Sequence, residues 1–268
     1  MSDRATVMPL PSLGGNVGAA VGTQALTLVR RSWRLSLRRV DALTTSLALP
    51  VILMVMLVYI FGGAIRTGGN YVDYVMPGVL AVCVGFGAGN TAVSVAQDLT
   101  TGIIERFRAM DVPGEALINS HVVASVARNL VSCALVLGVA VAIGFRSPAG
   151  PLAWLAAAAI LALFLLALSW LSAAIGVAAR SAEAASGIAF FIAFLAYPSS
   201  ALVPVQTMPS WLRGVAEAQP ITPLVDTIRA LLGGMPVGAS AWHAVLWSLG
   251  ISAGSILLAG FLFRRRME

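Results

Sequence analysis

Long apolar runs separated by short polar segments dominate the pattern of hydrophobic and polar positions along the chain. Each run holds about 20 residues or more, which matches the roughly 30 Å hydrocarbon core of a bilayer. Pro50 is expected to kink the first helix, because proline leaves one helical carbonyl without its N–H donor. The pattern predicts an all-α, polytopic membrane protein with six transmembrane helices, at about residues 43–62, 75–97, 120–145, 152–178, 184–205 and 241–263.

Two segments precede the first apolar run. Residues 1–21 are rich in Gly, Pro and small residues, so we expect a disordered tail and no signal peptide. Residues 22–41 combine an apolar stripe with arginines on other faces, which is typical of an amphipathic helix at the cytoplasmic membrane interface. Packing of this helix on a soluble partner is the alternative. Its characteristic residues are Arg30, Arg31, Trp33, Arg34 and Arg38.

A polar segment, residues 98–114, lies between the second and third apolar runs. Its middle, residues 103–110, contains good helix formers, and Pro113 and Gly114 should then end the helix. One interpretation is a solvated turn between two spans. The other is a rigid docking element for a soluble partner, for which the charged residues and the apolar Phe107 and Met110 would supply contacts.

The longest connection between apolar runs, residues 206–240, contains two short helical patterns. One begins at Pro209, since proline suits a first helical turn. The other covers residues 223–232, with Leu224 and Ile228 on one face, and is followed by Gly233 and Gly234. Neither pattern is long enough to span a membrane. We therefore expect two outer helices within residues 208–234 that lie on, or dip into, the outer membrane face.

Composition and charge agree with a membrane protein and give its orientation. Only 10% of the residues are charged, against about 25% in soluble domains. All 17 basic residues are arginine, which excludes a phosphate-binding loop with its lysine and also Schiff-base chemistry. With six spans, twelve arginines fall on one side and four on the other, leaving Arg128 aside. The positive-inside rule then places both termini and residues 98–114 in the cytoplasm.

Candidate chemistry within the apolar runs is sparse, and no catalytic or metal-binding residue is predicted. Residues 250–254 match the GxSxG pattern of serine hydrolases, but they lie in a helix-length run instead of a strand-to-helix turn. A role of these small residues in helix packing explains the GxSxG match better. The same role explains the GxxxG spacing of Gly85 and Gly89. Arg128 is expected to snorkel or to form a structural pair. No acidic residue lies deep in a predicted span, which weakens the interpretation of the chain as a proton-coupled transporter.

Three stretches resemble the ABC type-2 exporter permeases, and most of all their daunorubicin-resistance group of drug-efflux permeases. The first is the basic amphipathic helix that leads into residues 43–62. The second is residues 102–113, with Glu-Arg-Phe-Arg followed by a proline. The third is residues 208–229, with Met-Pro-Ser-Trp-Leu and then Gln-Pro-Ile-Thr-Pro-Leu-Val-Asp-Thr-Ile-Arg. The resemblance covers about residues 22–268 as one transmembrane domain.

This resemblance implies a function and a set of partners. It implies an ATP-driven exporter in the plasma membrane, whose separate ATPase subunit, in two copies, binds ATP and Mg; this chain itself needs no cofactor. The other implied partners are a second permease chain, which would most simply form a homodimer, membrane lipid, and a small amphipathic drug or antibiotic. No nucleic acid is expected. It also implies a re-entrant extracellular hairpin at residues 208–234. The implied ATPase-coupling residues are Glu105, Arg106, Phe107, Arg108, Met110 and Pro113.

Two questions stay open from the sequence. Export of lipid or polysaccharide is the alternative within the same class, and a secondary transporter or channel is the alternative from another class. The substrate path is expected along the first, second and fifth spans, because aromatic and amide groups suit amphipathic ligands. Ordinary helix packing is the other explanation of the candidate path residues Tyr59, Phe86, Asn90 and Phe194.

Overall fold

The computed structural model describes residues 40–63, 70–101 and 114–267. Within these ranges every regular element is helical, as predicted. A π-helical turn, Leu57–Phe61, continues the first helix, and a 3-10 turn, Val205–Thr207, precedes the sixth. The α-helices are α1 (Val40–Met56), α2 (Tyr71–Thr100), α3 (Gly114–Ala142), α4 (Pro151–Ala178), α5 (Ala182–Phe194), α6 (Ser210–Ala218), α7 (Ile221–Leu232) and α8 (Ser240–Met267).

Four helices in the described part of the chain are long and apolar enough to cross a membrane. They coincide with the predicted second, third, fourth and sixth spans, and they run over Tyr71–Thr100, Leu117–Ala142, Pro151–Ala178 and Ser240–Arg265. Shorter apolar helices, Ala48–Ile60 and Ala182–Phe194, stand where the first and fifth spans were predicted. The chain is therefore a multi-pass, all-helical membrane protein.

Helix α5 covers only the first half of the predicted fifth span. Helix α5 ends at Phe194, and residues 195–203 form consecutive turns and bends. Pro198 has no N–H to donate and disfavours helical backbone at the residue before it. Ser199 then makes local bonds that compete with a helix, since its Oγ donates to the Ala196 carbonyl and accepts from the Ala201 N–H.

Helix α2 is the centre of the bundle and packs against α1, α3, α4, α5 and α7. In the most apolar stretch of α2, 72% is buried inside the protein. The corresponding share is 17% for α8, which lies at the periphery. Glycines allow the close approach. A Cβ on Gly85 would lie 3.0 Å from Ala193 Cα, and one on Gly89 would lie 3.4 Å from Ala189 Cβ. The interpretation of this GxxxG spacing as close helix packing is confirmed, and α5 is the partner.

The two short helical patterns predicted within residues 208–234 are confirmed as helices α6 and α7, and α7 packs into the helical bundle. It packs against α2, α4 and α8, and Leu224, Val225 and Ile228 are at most 1% exposed. Its apolar face is therefore part of the protein core. Gly233 and Gly234 end α7 as predicted, and Gly234 has the left-handed φ of +66° that glycine accepts without strain.

Candidate functional site

Polar side chains cluster at three places along α2: at each of its ends and at one position between the two ends. At its N-terminal end, Asp73 accepts a hydrogen bond of 3.0 Å from the Arg146 N–H, and α7 lies close by. We call this the α7 end of the bundle. At its C-terminal end, Asp98 meets His121 of α3, and we call this the Asp98 end. Each end contains residues that the sequence singled out, and each is described in turn.

Arg229 of α7 organises the α7 end. Its Nε and Nη2 donate to the Tyr74 carbonyl at 3.2 and 3.1 Å. Nη2 also donates to the Ser200 carbonyl at 2.8 Å, and Nη1 donates to Asp226 Oδ1 at 2.7 Å. The guanidinium carbon lies 3.8 Å from the centre of the Tyr74 ring, a cation–π contact. One side chain thus joins α7 to α2 and to the turns after α5.

The other polar residues of the third stretch bind the same turns. Ser200 Oγ donates to Asp226 Oδ1 at 2.7 Å, and the Ser200 N–H donates to Thr222 Oγ1 at 3.2 Å. Gln219 Nε2 donates to the Pro198 carbonyl. Thr222, Asp226 and Arg229 stand four and three residues apart, which places them on one face of α7. This face gives a physical reason for the spacing of Thr222, Asp226 and Arg229 within residues 219–229.

A cavity of about 300 Å³ opens beside this cluster. Tyr74, Ser200, Asp226 and Arg229 form its polar wall. Its remaining wall is Pro204, Val205, Gln206 and Met235, from the segments on either side of α6 and α7. Sequence reasoning did not find this cavity, although the Asp226–Arg229 pair at i, i+3 inside an apolar helix was a usable signal.

At the Asp98 end, His121 Nε2 lies 3.0 Å from Asp98 Oδ2, and the imidazole must donate because an ionised carboxylate only accepts. The two side chains are 14% and 27% exposed. The pair joins the last turn of α2 to the first turns of α3. These helices flank residues 102–113 along the chain, so the pair fixes the two ends of that segment relative to each other.

A third polar cluster joins α2, α3 and α4 inside the bundle. Thr91 Oγ1 donates to Ser125 Oγ at 2.6 Å, and Ser169 Oγ donates to the same atom at 3.0 Å. Asn129 Nδ2 donates to the Ser125 carbonyl at 3.0 Å. Arg128 Nη2 donates to Thr91 Oγ1 at 3.3 Å, which supports the structural-pair interpretation of this arginine over snorkelling. Interhelical hydrogen bonds of this kind hold membrane helices together.

The predicted path residues differ in their surroundings. Tyr59, in the π-helical turn, is 71% exposed, and Phe194 of α5 is 51% exposed and stacks on Tyr197 with ring centres 5.2 Å apart. Phe86 packs against the main hydrophobic core, as ordinary helix packing would have it, and Asn90 is half-buried. Their role in substrate passage stays a prediction.

Two other sets of predicted residues lie outside the described part of the chain and stay predictions. One is the coupling set Glu105, Arg106, Phe107, Arg108, Met110 and Pro113. The other is the interfacial-helix set Arg30, Arg31, Trp33, Arg34 and Arg38.

The GxSxG match lies inside α8 and has no strand-to-helix turn, so it is not a nucleophile elbow. A Cβ on Gly250 or Gly254 would meet nothing within 4 Å among the described atoms. Helix packing therefore does not explain these two glycines within residues 40–63, 70–101 and 114–267. The Ser252 Oγ is buried and forms no hydrogen bond with the described residues.

Comparison with known proteins gives the relatives of this chain. A family model described as ABC-2 type transporter matches residues 23–232. A daunorubicin resistance ABC transporter permease protein of Streptomyces coeruleorubidus is 30% identical over 210 residues, which cover 78% of this chain and 73% of the relative. A probable doxorubicin resistance ABC transporter permease protein of Mycobacterium tuberculosis is 23% identical over 246 residues, covering 89% and 88%.

Proposed function

Because this chain belongs to the ABC-2 type transporter family, we propose that it is the membrane permease of an ATP-driven exporter of small amphipathic drugs or antibiotics. The observation that carries the substrate class is the 30% identity, over 78% of the chain, to a daunorubicin resistance permease. A second relative is named for doxorubicin resistance. Export of lipid or polysaccharide would use the same architecture and is the alternative outcome of the tests below.

We propose six membrane spans, with α1 and α5 completing the set of four long helices. Helix α5 has 13 residues, or about 20 Å at 1.5 Å per residue, which is short of a hydrocarbon core. The turns and bends at residues 195–203 would then lie at membrane depth. Irregular backbone is tolerated there only where protein covers it and satisfies its polar groups.

The α7 end supplies such cover. The carbonyls of Pro198, Ser200 and Leu202 accept hydrogen bonds from Gln219, Arg229 and Tyr71. Helix α7 is buried although it is too short to span a membrane. We therefore propose that α6 and α7 form a re-entrant hairpin that dips into the outer half of the membrane, where it completes the short fifth span.

Labelling in intact cells tests the six-span topology. In a variant without the native Cys83 and Cys133, single cysteines at Ser2 and Glu268 are expected to react only after permeabilisation. A cysteine at Gly234 is expected to react with an impermeant maleimide from outside, because the positive-inside rule predicts the α7 end on that side. Labelling of position 2 from outside would contradict the six-span arrangement.

The energy for transport must come from another chain in this proposal. No lysine is present for a phosphate-binding loop, so ATP and Mg would bind in two ATPase subunits on the cytoplasmic side. A second copy of the permease would complete the transport path in the plasma membrane. The Asp98 end supports this arrangement, because it fixes both ends of the segment proposed to contact the ATPase.

Reconstituted vesicles test the proposed function. Permease co-purified with its ATPase is expected to move a fluorescent amphipathic drug only in the presence of ATP, because the permease has no phosphate-binding lysine of its own. The matched control is an ATPase whose phosphate-loop lysine is replaced, which should abolish transport and leave complex assembly intact. Drug movement by the permease alone, driven by a proton or sodium gradient, would contradict the proposal and favour a secondary transporter. ATP-dependent movement of lipid but not drug would favour the alternative substrate.

A further inference from the structure

The cavity at the α7 end has the features of a small-molecule site. Its volume of about 300 Å³ lies at the lower limit of ligand pockets, roughly 300–1,000 Å³, so it suits one ring or one fragment of a larger molecule. Pro204, Val205 and Met235 give it an apolar side, and the polar groups converge on the opposite side. An apolar wall facing a few fixed polar groups is the usual composition of such sites.

The two charged residues in the wall are not equivalent. Arg229 is 15% exposed and is engaged by two carbonyls, a carboxylate and a ring face. The carbonyl oxygens and the negative face of the Tyr74 ring all offset its positive charge. Asp226 is 40% exposed. Both of its hydrogen bonds, from Ser200 and Arg229, go to Oδ1, and Oδ2 accepts none from the described residues.

We propose that this cavity binds a protonated primary or secondary amine attached to an apolar body, with Asp226 Oδ2 as the anchor for the ammonium group. The apolar body lies against Val205 and Met235. Ser200 and Arg229 hold the carboxylate in place, so little side-chain entropy is lost on binding. An anionic ligand is disfavoured, because the exposed carboxylate repels it and most of the Arg229 N–H groups are already engaged.

This inference rests on the proposed function and adds a step to it. On the proposed topology the cavity opens at the outer end of the bundle. The cavity would hold a cationic substrate after the substrate leaves the membrane-spanning path and before the substrate reaches the external solution. The proposal therefore predicts that the charge on the substrate matters at Asp226, and that the apolar body alone is not recognised there.

Asp226→Asn tests the anchor. Asparagine keeps a carbonyl oxygen that accepts from Ser200 and Arg229, and it removes the negative charge. Two fluorescent compounds with the same apolar body are compared, one with a primary amine and one with that amine acetylated. In Asp226→Asn, binding of the amine to the purified permease is expected to weaken about tenfold or more, as for loss of a charged hydrogen-bond partner. Binding of the acetylated compound should stay unchanged.

Asp73→Asn is the matched control. It removes one carboxylate charge from the same end of the bundle but outside the cavity wall, so both compounds should bind as they do to the native chain. If Asp226→Asn does not fold, Met235→Trp fills the cavity from a residue that is 52% exposed. That variant should weaken amine binding as well. Equal effects on both compounds, or no effect of either variant on amine binding, would overturn the proposal.

Direct binding and transport separate this inference from the proposed function. If the native complex transports none of the compounds with ATP, but amine binding depends on Asp226, the exporter proposal is refuted and the amine site in the cavity is supported. ATP-driven transport of both compounds at native rates by Asp226→Asn, with unchanged binding, would refute the cavity and support the exporter.

Discussion

Arg229→Ala is expected to remove most of the correctly folded protein from the membrane. The substitution leaves the Tyr74 carbonyl without either of its side-chain donors, and the partly buried Asp226 without its countercharge. Removing one partner of a fully buried ion pair typically costs about 3–5 kcal/mol. The 40% exposure of Asp226 reduces this cost, while the hydrogen bonds lost at the Tyr74 and Ser200 carbonyls add to it. The whole stability of a domain is about 5–15 kcal/mol. The measurement is the yield of monodisperse protein in detergent, together with its thermal unfolding temperature.

Two further variants make this result specific. Arg229→Lys keeps the charge but lacks the planar fork that reaches two carbonyls and a carboxylate together, so an intermediate unfolding temperature is expected. Arg213→Ala, in α6, removes exposed hydrogen bonds to the Gln206 and Met208 carbonyls and should change the unfolding temperature little. Native yield and unfolding temperature for Arg229→Ala would show that the polar cluster does not hold α7 in place.

The helices that span the membrane could be predicted because length and apolar composition are local properties. The long runs that became α2, α4 and α8 needed no knowledge of neighbours. The fifth apolar run predicted a helix through residue 205, beyond the observed end at Phe194, because Leu195, Ala196 and Tyr197 continue the apolar pattern. What ended the helix was the chemistry of Pro198 and the serines after it, which a hydropathy pattern does not register.

The position of α7 could not be predicted for a different reason. Leu224 and Ile228 were expected to share an apolar face, and they do. A lipid surface and a protein core demand the same periodicity, however, so the pattern gives the face but not what covers it. Similarly, the GxxxG spacing of Gly85 and Gly89 predicted a close helix contact, and only the structure identified α5 as the partner.

The candidate sites depend on contacts that are distant in sequence. Arg229 bonds to a carbonyl 155 positions away, and no local pattern links the two residues. Residues 219–229 were singled out through a family resemblance, without a physical reason for their order. The structure supplies a reason for the spacing of Thr222, Asp226 and Arg229, because one face of α7 binds the backbone that α5 leaves irregular. The coupling residues were implied by the same family resemblance, together with the mixed charge of their segment, and they remain a prediction.

The double variant Phe107→Ala, Met110→Ala is expected to abolish drug transport while the permease still folds. The two side chains stand three residues apart in a predicted helix, so they share one face, and we expect them to fill an apolar groove of the ATPase. Truncation of a buried aromatic anchor costs about 2 kcal/mol or more. Motion received by residues 102–113 would reach α2 and α3 together, because Asp98 and His121 join these helices beside the segment.

Glu105→Ala is the matched control for this double variant. Glu105 lies in the same segment and is charged, and an exposed ion pair is worth only about 0–1 kcal/mol. It should therefore weaken ATPase association less than the apolar pair does. Complex yield, ATP hydrolysis and drug transport are measured for each variant, with permease yield as the check on folding, which should survive because neither Phe107 nor Met110 lies in a predicted span. Full transport by the double variant would reduce residues 102–113 to a solvated turn and would place the contact with the ATPase elsewhere on the cytoplasmic face.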